Sequence, residues 1–333
     1  MTRFAVVRSA SLAALASAVS MSAHAANYTT FDPAGSTFTA PSHVDGNGVV
    51  VGNWSAEGFI GHGFVRTADG KITSFDPKGS QVTLPVGIDS QGNIIGSYVP
   101  HNRENEHGFV READGSISTF DAPHTKMTRA NASDPLAGLT GYYNGRHHNP
   151  TGYVRTPDGT ITTFMVPHAI FTIPNGINSA GVITGVYVSK NIKIDSFIRT
   201  PDGTITKFGP PQHGEADAAD INASGVITGT YEHGGSDQGF VRAADGTFTV
   251  FDPSGSVDTE PRAINAAGDI IGTYETADKA MHGFLRKADG SIQTIDDPDA
   301  VGNTTPTSIN DAGVITGWFM DAARNAHGFI RTP

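Results

Sequence analysis

A bulky apolar residue recurs along this chain at an almost constant interval. Phe31, Phe75, Phe120, Phe164, Phe208, Phe251 and Ile295 are separated by 44, 45, 44, 44, 43 and 44 residues. A period of that size means an array of supersecondary units, each too small to bury a hydrophobic face alone. It therefore decides architecture before any single residue is considered.

Residues 252–295 show the unit most fully: DPSGSVDTEPRAINAAGDIIGTYETADKAMHGFLRKADGSIQTI. Four short apolar or alternating runs lie between turn signals, which predicts four strands and no helix. The first run ends at Ala263, Ile264 and Asn265. The N-x-x-G from Asn265 to Gly268 is a tight turn, in which an Asx side chain caps the backbone and Gly takes positive φ. The second strand is predicted over 270–274 and the third over 283–286. Asp289-Gly290 is a short hairpin signal ahead of a fourth strand over 292–295. Of the forty glycines, 25 recur at four fixed places in the unit, namely the two turns, the G-x-aromatic of strand two and the G-F of strand three, so the composition does not signal low complexity.

The two ends complement one another. The last unit stops at His327-Gly328-Phe329-Ile330-Arg331-Thr332-Pro333, one strand short, and Asn27-Tyr28-Thr29-Thr30-Phe31-Asp32-Pro33 supplies a matching fourth strand at the other end. Pairing the two leaves no open sheet edge. The expected fold is all-β: a seven-bladed β-propeller over residues 26–333, closed by its N-terminal strand.

Ahead of that strand, Arg3 and Arg8 precede an apolar stretch from Leu12 to Met21, and Ala23-His24-Ala25 has the form of a secretory cleavage site. Residues 1–25 are therefore expected to be a signal peptide, with a secreted or periplasmic product. The stretch is too short to span a membrane and no other approaches that length, so membrane insertion is not expected. There is no cysteine, and a closed ring of this size buries enough apolar surface without disulfides. Removing Arg3 and Arg8 leaves 20 basic residues against 33 acidic ones, a balance that disfavours nucleic acid. A monomer is expected.

The recurring I-N-x-x-G-x-I-x-G-x-Y followed by H-G-F-x-R resembles the bacterial extracellular repeat proteins of the HAF family. The third-strand motif is His62-Gly63-Phe64, His107-Gly108-Phe109, His282-Gly283-Phe284 and His327-Gly328-Phe329. The resemblance covers nearly the whole chain after residue 25. It implies an exported propeller-type repeat protein and brings no catalytic residues with it.

What recurs in every unit reads as architecture. The aromatics that end strand two (Trp54, Tyr98, Tyr143, Tyr187, Tyr231, Tyr274 and Phe319) are expected to pack between blades, with a sugar-stacking platform as the alternative. The strand-three arginines, from Arg66 to Arg331, are expected to pack their stems between blades and to hydrogen-bond Asp45, Asp89, Asn131, Asn178, Asn222, Asn265 and Asn310. Strand-three histidines and the aspartates after strand four (Asp32, Asp76, Asp121, Asp252 and Asp296) form the constellation closest to proton transfer or metal ligation; local capping is the favoured reading.

Function is expected where units differ, on the face of the long loops. At the mouth of the channel the inner strands contribute Lys126, Thr128, Arg129, Asn175, Asp217, Glu260, Arg262, Thr305 and Thr307, a polar set suited to hydrogen bonding a glycan. Trp54, Trp318 and Tyr142 are the aromatic candidates on that face. His213, Glu215 and Asp217 alternate after Phe208-Gly209-Pro210-Pro211, so an extended chain would turn all three to one side as a divalent-metal site requires. A solvated acidic stretch has the same pattern. Asn131 to Ala137 reads as an insertion replacing a tight turn, and His147-His148 as a polar contact patch.

No G-x-S-x-G elbow, H-E-x-x-H pair, phosphate loop or Cys nucleophile is present. The expected function is a non-catalytic binding module for a glycan or protein partner, with no cofactor beyond a divalent metal. Two alternatives stand beside it: a lyase or hydrolase acting on a polysaccharide or small secreted compound through Lys126, Arg129, Glu260 and Arg262, and a structural envelope protein.

Overall fold

The computed structural model describes residues 26–56, 60–101, 105–125, 127–145, 149–210 and 214–333; the expected signal peptide lies outside them. The repeat folds as an antiparallel four-stranded ladder, for example Ser256–Ile264, Ile270–Thr276, Met281–Arg286 and Ile292–Thr294. Five ladders are separate sheets. Two more are joined in an eight-stranded sheet by the single parallel pair Phe38–Ala326.

The N-terminal strand Asn27–Phe31 pairs antiparallel with Ala326–Thr332, Asn27 opposite Thr332 and Phe31 opposite Gly328. First and last strands thus share one ladder, as the complementary ends require. The innermost strands Phe38–Val44, Ser80–Ile88, Thr128–Asp134, Ala169–Ile177, Glu215–Ile221, Ser256–Ile264 and Thr304–Ile309 touch in sequence, and the last returns to the first. The result is a propeller-like closed ring of repeated sheets.

Local chemistry explains the shape of each ladder. Every innermost strand carries a bulge at the same place, between Pro41 and His43, Pro261 and Ala263, and their equivalents. The bulge presses a carbonyl against the facing strand, and only glycine leaves room: a Cβ on Gly272 would lie 2.2 Å from the Glu260 oxygen. The strand then enters an Asx turn, where Asp45 accepts hydrogen bonds from the Asn47 and Val49 N–H groups at 2.9 and 2.8 Å while Gly48 takes φ +79°.

These turns correct two expectations. The third unit keeps its tight turn, because Asp134 accepts from Leu136 and Ala137 at 2.8 and 3.0 Å. Asp134 therefore holds the Asx position and nothing is inserted. The Asx side chains also do not receive the arginines. Asn178, Asn222, Asn265 and Asn310 instead donate from Nδ2 to the backbone oxygens of Asn222, Asn265, Asn310 and Asp45 at 2.9, 3.1, 3.2 and 2.8 Å, linking neighbouring units around the ring. Six of the arginines stack over the fourth-strand aromatic of the preceding unit, for example Arg66 over Phe31 at 5.1 Å and Arg199 over Phe164 at 4.9 Å. Their Nη1 groups reach the next carbonyl in the chain, as Arg66 does to Thr67 at 3.3 Å.

The core lies between adjacent sheets. Phe64, Phe109, Tyr153, Phe197, Phe240, Phe284 and Phe329 of the third strands have no exposed surface. Phe31, Phe75, Phe164 and Phe251 meet their partners of the following unit edge-on at 5.9 Å. Each such ring contributes about 2–3 kcal/mol by leaving water.

The histidines and aspartates form the outermost fastening. Asp76 accepts from Thr83 Oγ1 of the following unit at 2.5 Å and contacts His62 Nδ1 of its own at 2.6 Å. Asp32 ties His327 to Thr39 by the same contacts, at 2.7 and 2.5 Å, so ring closure uses the clip found at an ordinary junction. In one unit Gln238 replaces the histidine and donates to Asp252 at 2.6 Å. A glutamine that serves equally identifies the clip as capping, the favoured reading.

Candidate functional site: an acidic cavity at the channel mouth

The bulged residue of each innermost strand faces the ring axis. Ser42, Val86, Asn131, Asn175, Ala219, Arg262 and Thr307, one from each strand, line a single cavity of about 490 Å³, which therefore runs along the axis at the end of the tight turns. Several also tie neighbouring strands: Ser42, Asn131, Asn175 and Thr307 donate to the oxygens of Pro85, Pro174, Ala218 and Pro41 at 2.7, 2.8, 3.0 and 2.8 Å.

A second cavity, of about 680 Å³, opens at the loop end and shares Asn175, Ala219, Arg262 and Thr307 with the first. It brings together five residues expected at the mouth, Asn175, Asp217, Glu260, Arg262 and Thr307, with Glu215. Asn175 Nδ2 stands 3.4 Å from Asp217 Oδ1, and Arg262 Nη2 stands 3.3 Å from Glu260 Oε2. Glu215 accepts the Ile194 N–H at 3.3 Å, which ties the cavity rim to the preceding unit.

Electrostatics at this mouth are dominated by carboxylates. Asp217 reaches the water of the channel, yet protein surrounds it. That loss of solvent, followed by repulsion from Asp237 and Glu260, pushes its carboxyl up to about 6. Burial also raises Asp237, with Asp258, Glu260 and Glu232 adding to the effect. Deeper in the channel, burial pushes Asp220 up to about 6 against the opposing effect of hydrogen bonds from the Ile264 and Ile221 N–H groups.

The remaining expected residues are scattered. Lys126 and His213 lie outside the described residues, as do His147 and His148. Arg129 belongs to the mouth but faces Glu106, at 3.9 Å. Trp54 is not among the cavity residues: it packs against His62 at 5.0 Å between ring centres and donates to Ser74 at 2.9 Å on the outermost strand of its ladder. Trp318 packs at 6.4 Å against Phe38, the half-exposed residue that opens the first innermost strand. Among the described residues no group of three or more His, Cys, Asp or Glu is placed to hold a metal ion.

Sequence reasoning missed Glu232, Asp237 and Thr230, which reach the cavity from the second and third strands of the unit carrying Asp217. The signal was present, because E-H-G-G-S-D-Q departs from the corresponding loops of other units. Only the fold shows that this loop overhangs the mouth.

Comparison with solved structures places the fold among distant propellers. Virginiamycin B lyase from Staphylococcus aureus is 16% identical, with 93% of this chain and 100% of that one covered at a TM-score of 0.63. The β-propeller domain of the Trilobed protease from Pyrococcus furiosus is 9% identical, covering 89% and 94% at 0.63. A putative TolB from Agrobacterium tumefaciens is 15% identical, covering 78% and 93% at 0.52. At these identities the likeness is one of fold alone. No family model and no curated protein matches the chain. No helix among the described residues is long and apolar enough to cross a membrane.

Proposed function

We propose that this chain is an exported seven-bladed β-propeller with HAF-type repeats, and that its channel-mouth cavity acts as a lyase or hydrolase on a small secreted compound or polysaccharide. Export rests on the Arg3-to-Ala25 pattern, and the blade count on the cycle of innermost strands. The observation that carries the catalytic reading is the convergence of Asp217, Glu260 and Arg262 on one cavity, with Asp217 near pKa 6.

A carboxyl of that pKa is present in both protonation states close to neutrality and is suited to exchanging a proton with a bound substrate. Asn175 holds its orientation. Arg262 is placed to stabilise negative charge developing on a substrate oxygen, and Glu260 fixes the guanidinium. Elimination from carbon next to a carbonyl can use this pairing of base and cation, and so can attack of water on an ester.

The fold-level likeness to virginiamycin B lyase supports the catalytic reading. One observation favours binding without turnover: no histidine is among the described residues lining this cavity, whereas a His-to-Ala variant of the S. aureus lyase, crystallised with quinupristin, is catalytically inactive.

The test is to incubate the purified protein with polysaccharide fragments, cyclic esters and peptide lactones, following product mass. Isomeric, unsaturated products identify a lyase and gain of water a hydrolase; either must be lost in Asp217→Asn. Binding without products, lost in the same variant, would establish the non-catalytic module for a glycan or protein partner. Ligands indifferent to Asp217→Asn and Glu260→Gln would show that the cavity is not the site.

A further inference from the structure

An aspartate stands directly before a proline five times in this chain, at Asp32, Asp76, Asp134, Asp252 and Asp297. The pair has a chemistry of its own. An aspartyl carboxyl is one five-membered ring closure away from the main-chain carbonyl of its own residue, and proline offers a tertiary amide as the bond to be broken. Four of the five acids are occupied or solvated. Asp32, Asp76 and Asp252 are exposed, and each bonds a threonine through Oδ1 and a histidine or glutamine through Oδ2. Asp134 is half-exposed and caps its turn.

Asp297 is placed differently. At this junction Asp296 takes the clip position, contacting His282 Nδ1 at 2.7 Å. Asp297 therefore enters the next slot, where other units bury Pro33, Pro77, Ala122, Val166 and Pro253. It is 3% exposed. Its Oδ1 accepts the Asp299 N–H at 3.0 Å, whereas its buried Oδ2 has no hydrogen-bond partner among the described residues. An orphaned carboxyl oxygen in the interior is costly and calls for a reason. The main-chain oxygen of Asp297 accepts the Ala300 N–H at 3.1 Å, closing a turn whose middle residues, Pro298 and Asp299, are exposed. A free carboxyl oxygen thus sits beside a polarised carbonyl, and the prolyl side of the bond faces water.

We propose that Asp297 is a self-cleavage site, at which Oδ2 attacks the main-chain carbonyl carbon of its own residue and the folded protein divides between Asp297 and Pro298. The carboxyl proton passes to the Pro298 nitrogen, the C–N bond breaks with its electron pair staying on nitrogen, and a five-membered cyclic anhydride forms at Asp297. Solvent water opens the anhydride. The products end in Asp297 and begin with Pro298, with one water gained overall. The Ala300 N–H stabilises the negative charge that develops on the carbonyl oxygen, and closure within one residue supplies the proximity.

The step uses the protonated acid. Burial raises the Asp297 carboxyl above its ordinary value and the Asp299 charge adds to this, while the Asp299 N–H and His327 oppose it. Tyr28 of the closing strand is the other titratable group coupled to it. The channel cavity plays no part in this chemistry. Fragment 298–333 carries the strands Thr304–Ile309, Ile315–Met320 and Ala326–Thr332, and the last of these pairs with Asn27–Phe31. The nicked ring is therefore expected to stay assembled, with the break just ahead of the strand whose Thr307 lines both cavities.

The test is to incubate the purified, folded protein between about pH 4 and pH 7, following intact mass and the sequence of any new N-terminus. Division at Asp297 is expected to be roughly tenfold or more faster than at the other four aspartates, and to speed up as pH falls. The two fragments should co-elute in gel filtration. In guanidinium at the same pH the preference for Asp297 should vanish, because there all five acids share one environment. Asp297→Asn removes the nucleophile, and Pro298→Ala keeps it but replaces the tertiary amide. Each should slow the cut about tenfold or more. Pro298 is exposed, so that variant is expected to fold, and circular dichroism checks that it does. Absence of cleavage at Asp297, equal cleavage at the other four, a faster cut in guanidinium, a rate that does not fall towards neutral pH, or indifference to both substitutions would each overturn the inference.

Discussion

At the rim of the ring, Asp32, Asp76 and Asp252 perform the same task in three different units, each joining a threonine of the following unit to a histidine or glutamine of its own. At the channel mouth, equivalent positions pass from Phe38 to Glu215 and from Leu84 to Asp217. Both regions are written in the same repeat. The rim is repeated because every junction between sheets poses the same packing problem, whereas the channel-facing positions touch water and are free of it. Repetition marks what holds the ring together, and divergence marks where the ring can recognise something.

The contrast is sharpest in stability. Deleting Asn27 to Asp32 removes a whole strand, the Phe31–Phe64 contact and the clip from Asp32 to Thr39 and His327. It is expected to give the largest loss of melting temperature of any change considered, and an unchanged value would refute closure by the N-terminal strand. Phe31→Ala alone should cost about 3–5 kcal/mol in chemical denaturation, since the ring is 8% exposed and packs over Gly328.

Gly272→Ala should follow, at roughly 1–3 kcal/mol, because its Cβ meets the Glu260 carbonyl. A fall in stability within a few tenths of zero would mean that the bulge does not fix that approach.

At the channel the direction reverses. The pKa of Asp217 is raised in the folded state, so its ionised form costs stability once pH exceeds the ordinary carboxylate value, and the full cost is reached above the folded one. Asp217→Asn should raise the melting temperature slightly at pH 7 and have less effect towards pH 4, where the folded state keeps its proton. A loss at pH 7 would place Asp217 with the structural residues and erase the distinction between rim and mouth.

The smallest effect belongs to the closing clip. Burial alone would lower the pKa of His327, but hydrogen bonds to Asp32 and Asp321 outweigh it and raise it above 6.5. Its contribution is thus complete below pH 6.5 and lost as pH rises through the folded value. Solvent screening at this partly exposed ring limits it to about 0.5 kcal/mol. Gln238 already fills the equivalent position in another unit, so His327→Gln should flatten that pH dependence while leaving the ring closed.

Much of this was legible in the chain. The spacing from Phe31 to Ile295 and the missing last strand predict four-stranded units and their closure, because turn residues and strand alternation are local properties that survive in any one-dimensional reading. The place of the Asx turn in the third unit was not legible. Asn131 fits the residue type and Asp134 fits the hydrogen bonds, and only backbone pairing tells them apart. The arginine partners were misjudged for a related reason: alternation gives the face of a sheet, but the neighbouring sheet decides whether a guanidinium meets an amide or a Phe ring.

Of the candidate site, the chain alone pointed to Asn175, Asp217, Glu260 and Arg262, since residues a fixed distance before each turn must share one level of the ring. It gave no means of adding Glu232 and Asp237 to the cavity or of separating Trp318 from Trp54. The sequence determined the period, the strands, the turns and the pairing of the ends, because each depends on neighbours close along the chain or on a repeated pattern. The tertiary structure decided which variable residues face one another across the axis, because closing the ring brings together side chains that lie far apart in sequence, and the charge around each of them is set by those distant neighbours.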